Sequence, residues 1–291
     1  MITILTPTYN RAYILTEAFR SLCMQTSFDF EWIIVDDGST DNTESMVNAW
    51  LTESMPFKIK YFKQLNGGKH RAINKGVSLA ESDYILILDS DDFLENDAVS
   101  FIHKWIKSIE GLDNFAGVAG LRGWKDRNEP IGNNLSTDYI DATNLERKKY
   151  HLSGDKAEIY KTEILKKYPF PEFDGENFIR ESAVWDRIAM AGYKLRWFNK
   201  IIYRCEYQED GLTKGVNEAV YANNFNGFTY CIKLQILNQK FPYKHLKIGY
   251  FSSVAHSKEL DDKEILSLLC IRKSDLLIGK FIYFLHRIIK K

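Results

Sequence analysis

Short apolar segments alternate with segments of helical length and period over roughly the first 120 residues. The apolar segments read ITIL, EWIIVDD, FKIKYFKQ, DYILILDS and FAGVAGL. Helical patterns fall at roughly 11–25, 40–52, 69–80 and 96–110. Nearly continuous apolar strands joined by helices are typical of a parallel sheet that is covered on both faces. The sequence therefore predicts an α/β fold with a mainly parallel central sheet flanked by helices.

Beyond this region the pattern changes twice. Residues 111–205 are less regular, with a helix predicted from about Arg180 to Ala191 and one or two strands after it. From about residue 216 the pattern is helical to the end. We therefore predict a first domain over 1–215 and a helical C-terminal region over 216–291.

Charge and cysteine usage exclude several classes of protein. The 291 residues include 39 basic and 39 acidic side chains, so the formal net charge is +0. A chain without excess positive charge lacks the field that attracts nucleic acid, and we expect no nucleic-acid partner. The four cysteines form no CxxC pair, which indicates neither a zinc site nor a disulfide framework.

The N-terminus and the hydropathy predict a cytoplasmic location. The segment MITILTPTYN lacks the basic start and the long apolar core of a signal peptide. No window reaches the roughly 18 consecutive apolar residues that cross a bilayer. The expectation is a cytoplasmic protein, unless a segment holds it at a membrane surface.

Polar residues follow three of the predicted strands where each strand ends. These clusters are PTYNR at 7–11, DDGSTD at 36–41 and DSDD at 89–92. Ligands of open α/β sheets bind outside the carboxyl ends of the strands. One such cluster is an ordinary loop, but three at successive strand ends indicate one shared site.

The crowded carboxylates Asp89, Asp91 and Asp92 have two interpretations. Asp is favoured at a helix N-terminus, and Asp92 fits the role of a cap for the helix that follows. Alternatively, carboxylate oxygens bind Mg²⁺ or Mn²⁺, which take waters and substrate phosphates as their remaining ligands. The second interpretation predicts a Mn²⁺ or Mg²⁺ site that receives a diphosphate.

A diphosphate site requires groups that recognise the rest of a nucleotide. Asp37 is suited to accept a hydrogen bond from a base, and Tyr9 to stack on one. The segment NGGKHRAINKG adds Lys69, His70 and Arg71, whose charges offset those of a diphosphate. The chain has no GxxxxGK[ST] motif and no GxGxxG after its first strand, which disfavours a P-loop NTPase and a dinucleotide-binding domain.

The segments TPTYNR, WIIVDDGSTDNT, NGGKHRAINKG and YILILDSDD, in this order, resemble the family 2 glycosyltransferases. The resemblance is close over about 1–110 and looser to about 205. It implies the GT-A nucleotide-diphospho-sugar transferase fold, with 1–215 as the catalytic domain. It also implies transfer of a sugar, usually from a UDP-linked donor, with inversion at the anomeric carbon. The implied acceptor is a glycan or a lipid-linked molecule in the synthesis of a cell-surface or capsule-type polysaccharide, at the inner face of the membrane.

The resemblance also implies roles for individual residues. Asp37 would contact the base, Thr8 and Tyr9 would line the nucleotide pocket, and Asp91 would be the direct metal ligand. The predicted donor-binding residues are Pro7, Thr8, Tyr9, Arg11, Asp37, Asn66, Lys69, Arg71, Asp89 and Ser90, and the predicted metal ligands are Asp89 and Asp91.

Inversion in one displacement requires a general base that deprotonates the acceptor hydroxyl. In the family this base is an acidic residue just ahead of a helix with a W-x-R pattern. The segment GENFIRESAVWDRIA matches that pattern at Trp185 and Arg187, which makes Glu181 the base and Trp185 an acceptor-side residue. The commoner Glu-Asp pair is absent, because Ser182 follows Glu181. Dipole compensation for Glu181 and core packing for Trp185 are the alternatives, and Asp186 is a rival base for which we expect a surface position.

Two histidines lie close to these motifs. His70 either contacts phosphate or lies exposed at the start of a helix. His151 is either a third metal ligand or an ordinary side chain ahead of a strand-like segment.

The last sixteen residues, LLIGKFIYFLHRIIKK, predict a basic amphipathic helix. Contact with a membrane surface through 272–291, docking on the globular body and docking on a second subunit in a homodimer all remain open. The apolar residues that share one face, an arc of about 140° at 100° per residue, are Leu277, Ile278, Phe281, Ile282, Leu285, Ile288 and Ile289. The basic residues on the other side are Lys280, His286, Arg287, Lys290 and Lys291.

Two other functions compete with a metal-assisted inverting hexosyl- or N-acetylhexosaminyltransferase. A nucleotidyltransferase that makes sugar nucleotides would share the sheet and the carboxylates, but its Gly-rich GxGTR-like start is absent after the first strand. A non-catalytic module that binds sugar nucleotides or glycans is the other alternative, and the presence of both Asp91 and Glu181 argues against it.

Overall fold

The computed structural model describes residues 1–206, 208 and 215–289, which form two compact units. Unit 1 consists of Met1–Phe170 with Ile188–Gln208, and unit 2 of Pro171–Arg187 with Glu209–Lys291. Residues 171–187 thus group with the C-terminal helices. The predicted domain boundary at residues 215 and 216 remains a prediction.

The strands of unit 1 form one sheet, in the order β3-β2-β1-β4-β8-β6-β9-β5, with β7 paired to β9. Strands β1 to β4 are all parallel, whereas β8 lies antiparallel between β4 and β6. The predicted α/β fold with a mainly parallel central sheet is confirmed. The strands are β1 Ile2–Thr8, β2 Phe30–Asp36, β3 Lys58–Lys63, β4 Tyr84–Ile87, β5 Phe93–Leu94, β6 Phe115–Trp124, β7 Tyr139–Ala142, β8 Lys156–Lys161 and β9 Lys194–Cys205.

The helices predicted between the first strands are present, and each is shorter than predicted. Every residue of β1 and β2 is buried, so these strands form the centre of the core. A Cβ atom on Gly76 would lie 2.1 Å from Leu5 Cδ1, so glycine allows the third helix to approach β1 closely. The helices of unit 1 are α1 Leu15–Cys23, α2 Thr43–Leu51, α3 Lys69–Leu79, α4 Ala98–Lys107 and α5 Thr162–Lys167.

Unit 2 is helical, as predicted for the C-terminal region. Its core is aromatic, with Phe228 and Phe251 stacked at a centroid distance of 5.4 Å. The helix α6 spans Ser182–Met190 and begins in unit 2. The other helices are α7 Glu218–Asn223, α8 Phe225–Asn238, α9 Tyr243–Ser257, α10 Asp262–Leu269 and α11 Lys273–Ile289.

The segment ahead of α6 is fixed to the start of α8 by polar side chains. The buried carboxylate of Glu176 accepts hydrogen bonds from the backbone N–H groups of Asn226 at 2.7 Å and Gly227 at 2.8 Å. Asn224 Oδ1 accepts from the N–H groups of Asn177 and Phe178, both at 2.9 Å. The two bonds to Glu176 satisfy backbone donors in the first turn of α8, and all four bonds together explain why this segment belongs to unit 2.

The C-terminal helix α11 packs against α9 through small residues. A Cβ atom on Gly249 would lie 2.1 Å from the carbonyl oxygen of Gly279, so the two backbones approach more closely than any other residue allows. His245 Nε2 lies 3.2 Å from Asp275 Oδ1 one turn earlier. Since the contacts run from His245–Asp275 to Gly249–Gly279, the two helices run in the same direction.

The predicted apolar face of the C-terminal helix is not the face that docks. Leu276 and Gly279, which contact α9, lie outside the predicted apolar face. Six of the seven residues of that face are exposed, and the seventh, Ile282, is half-buried. Lys290 and Lys291 lie outside the described residues. Among the described helices, none has both the length and the apolar character required to cross a bilayer.

A buried lysine closes one loop of unit 1. Lys156 on β8 donates through Nζ to the carbonyl oxygens of Ile131, at 3.3 Å, and of Ser153. Burial, together with the nearby positive charge of Arg147, lowers the pKa of Lys156 to about 8. The folded chain therefore releases this proton at a lower pH than the unfolded chain.

We expect pH to affect the native chain and a Lys156→Met variant differently. Between about pH 8 and the ordinary value of 10.5, the unfolded chain holds a proton on Lys156 that the folded chain has lost. Because the unfolded state then binds more protons, rising pH stabilises the native chain, by about 1.4 kcal/mol per pH unit and about 3 kcal/mol in all. Urea unfolding of both chains across this window measures the difference. Two free-energy curves that stay parallel would contradict the shifted pKa.

Candidate functional site

The loops that follow β1 and β2 are joined by hydrogen bonds. Asn10 Oδ1 accepts from the N–H of Thr40 at 2.8 Å, and the N–H of Asn10 donates to Ser39 Oγ at 2.8 Å. Asn10 has a φ of 52°, a left-handed conformation that Asn tolerates better than most residues. The first two predicted polar clusters therefore form one surface at the carboxyl ends of the strands.

The loop that follows β3 is held by Asp37. Asp37 Oδ1 accepts from Gln64 Nε2 at 2.8 Å and from the N–H of Gly67 at 3.0 Å. Its Oδ2 accepts from the N–H of Gly68 at 2.7 Å and from Asn66 Nδ2 at 3.3 Å. The backbone donors at the start of α3 thus bind a carboxylate of the chain itself, and Asp37 fixes the segment that leads to Lys69.

Asp89 lies between two cations. Its Oδ1 is 2.7 Å from Lys69 Nζ, and its Oδ2 accepts from Arg122 Nη1 at 3.3 Å. Burial by itself would raise the pKa of this carboxyl, but the charges of Lys69 and Arg122 outweigh it and hold the pKa at about 2. Asp89 is therefore ionised at every physiological pH.

Asp92 is buried against Tyr203 and does not cap a helix. Tyr203 Oη donates to Asp92 Oδ2 at 2.8 Å and accepts from the N–H of Asp89 at 2.9 Å. The N-cap of α4 is Asp97, so the predicted capping role of Asp92 is wrong. Burial and the negative charge of Asp89 raise the pKa of Asp92 well above its ordinary value.

Asp91 differs from the other two carboxylates of the cluster, Asp89 and Asp92. Within the described residues its carboxylate forms no ion pair and accepts no side-chain hydrogen bond. Burial and the negative charge of Asp89 raise the pKa of Asp91, and the positive charges of Arg11 and Lys69 offset this only in part. A cation beside Asp91 would relieve this repulsion.

The donor set at Asp91 fits a hard divalent cation. Carboxylate oxygen is the ligand type that Mg²⁺ and Mn²⁺ prefer, and these ions retain several waters. In the described part of the chain, no cluster of three or more His, Cys, Asp or Glu side chains is arranged to hold a metal. A cation bound here would therefore draw further oxygen ligands from a phosphate or from water.

Comparison with known proteins identifies the family. Residues 3–168, more than half of the chain, match the model of "Glycosyl transferase family 2". The chain belongs to glycosyl transferase family 2. The predictions of the family and of its GT-A fold are confirmed.

Several proteins are similar to this family 2 member. It is 25% identical over 287 residues to a GalNAc(5)-diNAcBac-PP-undecaprenol beta-1,3-glucosyltransferase of Campylobacter jejuni, a match that covers 94% of this chain and 87% of that protein. Glycosyltransferase GlyG of Streptococcus pneumoniae is 31% identical, but that match covers only 37% of this chain and 35% of that protein.

Solved structures share the fold. A structure of an S. aureus TarS fragment with UDP-GlcNAc has a TM-score of 0.64 and 21% identity, and covers 96% of this chain and 79% of that chain. The mannosyltransferase PcManGT of Pyrobaculum calidifontis, with GDP-Man and Mn²⁺, has a TM-score of 0.58 and 18% identity, and covers 97% and 86%.

The remaining predicted donor residues of this family 2 member belong to unit 1. Thr8 is buried at the end of β1, and its Oγ1 has no hydrogen-bond partner in the described residues. Tyr9, next to it, is 48% exposed. Arg11 Nη1 donates to Tyr13 Oη, and Arg71 Nε donates to the carbonyl oxygen of Gly67 at 3.0 Å. Pro7 and Ser90 are buried.

The predicted base, its rival and the predicted acceptor-side residue belong to unit 2. Glu181 lies directly ahead of α6, and its carbonyl oxygen accepts from the N–H groups of Val184 and Trp185 in the first turn. Trp185 is buried, which agrees with the core alternative. Asp186 is also buried, so the expected surface position of this rival base is wrong.

The two histidines differ from the expectations in opposite ways. His70 is buried in α3, so the alternative of an exposed helix-start histidine is wrong. His151 is exposed, with a φ of 55° in a turn. The hypothesis that His151 is a third metal ligand gains no support, because the described residues contain no metal-holding cluster of three.

Sequence analysis missed Arg122 and Tyr203, which hold the carboxylate cluster. Arg122 stacks on the Tyr203 ring, with its Cζ 4.2 Å from the ring centroid, and its Nε donates to the carbonyl oxygen of Lys156 at 3.0 Å. An arginine inside the apolar strand β6 was a usable signal, because a buried cation requires a buried anion nearby. Tyr203 on β9 carried no such signal.

Proposed function

We propose that this chain transfers a sugar from a UDP-sugar to an acceptor hydroxyl, with inversion at the anomeric carbon. One observation carries the proposal: within the described residues the Asp91 carboxylate forms no ion pair and accepts no side-chain hydrogen bond, and it lies beside an Asp89 that two cations keep ionised. This arrangement suits a metal-bound diphosphate. The S. aureus TarS fragment, which shares the fold, binds UDP-GlcNAc, and this supports the choice of donor.

Asp91 and Asp89 would hold the cation, which we propose to be Mn²⁺ or Mg²⁺. When bound, it supplies positive charge for the departing diphosphate. The Mn²⁺ in the PcManGT structure supports this choice. Lys69 and Arg122 orient Asp89 and add to the positive potential, so that the polyanionic leaving group meets a site with both cations and anions in fixed positions.

The donor-binding role falls to residues at the ends of β1, β2 and β3. Thr8 offers a buried hydroxyl that has no hydrogen-bond partner among the described residues, and a ligand group would satisfy it. Tyr9 offers an exposed aromatic ring for stacking. Asp37 accepts from the base in this proposal, and it also fixes the loop from Gln64 to Gly68.

Glu181 is the proposed general base, and Trp185 the proposed acceptor-side residue. Deprotonation of the attacking hydroxyl as it approaches the anomeric carbon is the step that inversion requires of the protein. The position of Glu181 directly ahead of α6 is the one expected for this role. The Glu181 side chain is half-buried, whereas that of Trp185 is buried.

The proposed acceptor is a glycan or a lipid-linked saccharide in cell-surface polysaccharide synthesis, and the transferred sugar a hexose or an N-acetylhexosamine. The name of the C. jejuni relative, a GalNAc(5)-diNAcBac-PP-undecaprenol glucosyltransferase, supports this acceptor class.

Thermal unfolding with UDP tests the donor site. We expect UDP to raise the melting temperature only when Mn²⁺ or Mg²⁺ is present, and EDTA to abolish the shift, because the diphosphate needs the cation to lie beside Asp89 and Asp91. UMP, which lacks the second phosphate, is the matched control and should give a much smaller shift. Equal stabilisation by UDP in EDTA would remove the metal from the proposal.

Turnover of a panel of UDP-hexoses and UDP-N-acetylhexosamines then separates the rival functions. We expect one donor of the panel to release UDP. Release should be slow when water accepts the sugar, and faster when an acceptor saccharide is added. Formation of a UDP-sugar and pyrophosphate from UTP and a sugar 1-phosphate would identify a nucleotidyltransferase instead. Tight UDP-sugar binding without any turnover would leave a binding module.

A further inference from the structure

Helix α11 leaves a large apolar surface uncovered. We call this surface the outer face; it is made up of seven residues that recur at helical spacing. Since α11 docks on α9 through Leu276 and Gly279, on its opposite side, none of the outer-face residues belongs to the hydrophobic core described for unit 2. Its residues and their exposed fractions are Leu277 56%, Ile278 42%, Phe281 62%, Phe284 60%, Leu285 41%, Ile288 55% and Ile289 83%.

Exposure of this kind is unusual for a chain in water. Scattered apolar side chains are common on protein surfaces, but a continuous apolar stripe marks a surface that another phase or molecule covers. Successive turns of one helix carry two phenylalanines and five aliphatic residues here. The helix is nevertheless held in place at Gly279, so the outer face is presented by a docked element.

The charges of the same segment select the class of partner. Residues 272–291 contain six Lys and Arg residues and one acidic residue, Asp275. Asp275 is buried, lies 3.2 Å from His245 Nε2 and pairs with Arg272, so it offers no accessible negative charge. The segment is therefore basic wherever it is accessible, which favours an anionic surface over a neutral one.

A second copy of the chain fits these charges poorly. Two outer faces packed on each other would bring two identical basic segments together, and like charges at such a contact repel. A membrane span does not fit this helix either, since its 17 residues include Lys280 near the middle, 2.5 Å from Asp262. A helix with an apolar face and basic flanks lies in the plane of a lipid surface.

We propose that the outer face of α11 inserts into the surface of an anionic lipid bilayer. The phenylalanine and aliphatic side chains enter the boundary between headgroups and acyl chains. The basic side chains stay at the headgroups. The docking of α11 on α9 then holds unit 2 at the membrane, and this placement goes beyond the proposed function and does not depend on it.

Vesicle flotation with the full chain tests the proposal. We expect binding to vesicles of phosphatidylglycerol with phosphatidylethanolamine, weaker binding to phosphatidylcholine alone, and release by about 0.5 M salt, at which surface charges are screened. The variant Phe281→Gln/Phe284→Gln/Ile288→Gln should bind at least roughly 100-fold more weakly, because three apolar side chains no longer leave water. The changed residues are exposed, so the fold should survive.

A second triple variant is the matched control. Met24→Gln/Leu51→Gln/Leu112→Gln also replaces exposed apolar residues, all in unit 1, and should float like the parent chain. The UDP-dependent thermal shift should be the same in both variants, which separates membrane binding from the donor site. The proposal is overturned if the parent chain does not float, if the α11 variant floats as well as the parent, or if sedimentation without lipid shows a dimer that the α11 variant dissociates.

Discussion

Replacing Asp91 by Asn is expected to abolish the metal-dependent stabilisation by UDP. The substitution Asp91→Asn keeps the size of the side chain but removes the only carboxylate of the cluster that the described residues leave without a side-chain partner. Sugar transfer should fall by about 100-fold or more, because the diphosphate then leaves without the cation. UDP is titrated into the variant with and without Mn²⁺, and binding is measured by calorimetry or from the shift in melting temperature.

The neighbouring substitution Asp92→Asn is the matched control for Asp91→Asn. Its carboxyl has a raised pKa and accepts from Tyr203 Oη, a bond that an amide oxygen also accepts. We therefore expect Asp92→Asn to keep the metal dependence of UDP binding. If Asp92→Asn lost it while Asp91→Asn kept it, the metal would be assigned to the wrong carboxylate.

The three carboxylates show what sequence can and cannot separate. Sequence places Asp89, Asp91 and Asp92 at a strand end, since a run of apolar residues stops there. It does not show which of them finds a partner, because those partners come from distant elements. Arg122 lies on β6 and Tyr203 on β9, and both reach the cluster through the pairing of strands. A capping role for Asp92 follows from local rules alone, but β5 comes directly after Asp92 and α4 begins only at Ala98.

The parallel strands and their helices were predictable for a physical reason. A buried parallel strand is apolar along its whole length, as in β1 and β2, and each amphipathic helix between strands has a period that sequence reveals. The insertion of β8 between β4 and β6 was not predictable. Antiparallel and parallel partners present the same apolar side chains, so the order of strands depends on long connections that no local pattern records.

The C-terminal helix shows a different limit of sequence analysis. An apolar arc usually faces the core, but six of the seven residues of the predicted arc on α11 are exposed and only Ile282 is half-buried. The helix docks instead through Gly279 and Leu276, because two glycine backbones fit together more closely than two rows of large side chains. Hydrophobicity alone therefore identifies an apolar face, but not whether the rest of the chain packs on it.

The substitution Glu181→Gln is expected to separate binding from chemistry. The amide is nearly isosteric with the carboxylate, so the UDP-dependent thermal shift should be unchanged. Since Gln cannot accept the proton of the attacking hydroxyl, kcat for sugar transfer should fall by about 10²–10⁴-fold. Steady-state transfer with a UDP-sugar that is a good donor, together with UDP binding to the same variant, gives both readings.

The rival base Asp186 provides the matched control for Glu181. Asp186 is buried in α6, whereas Glu181 lies directly ahead of this helix. We expect Asp186→Asn to lower stability more than Glu181→Gln does, because a buried carboxylate loses its partners, and to keep most of kcat in the folded fraction. The opposite pattern, with full transfer in Glu181→Gln and none in folded Asp186→Asn, would move the base by about one helical turn. Loss of transfer in Glu181→Gln with an unchanged melting temperature would leave proton removal as the remaining role of this carboxylate.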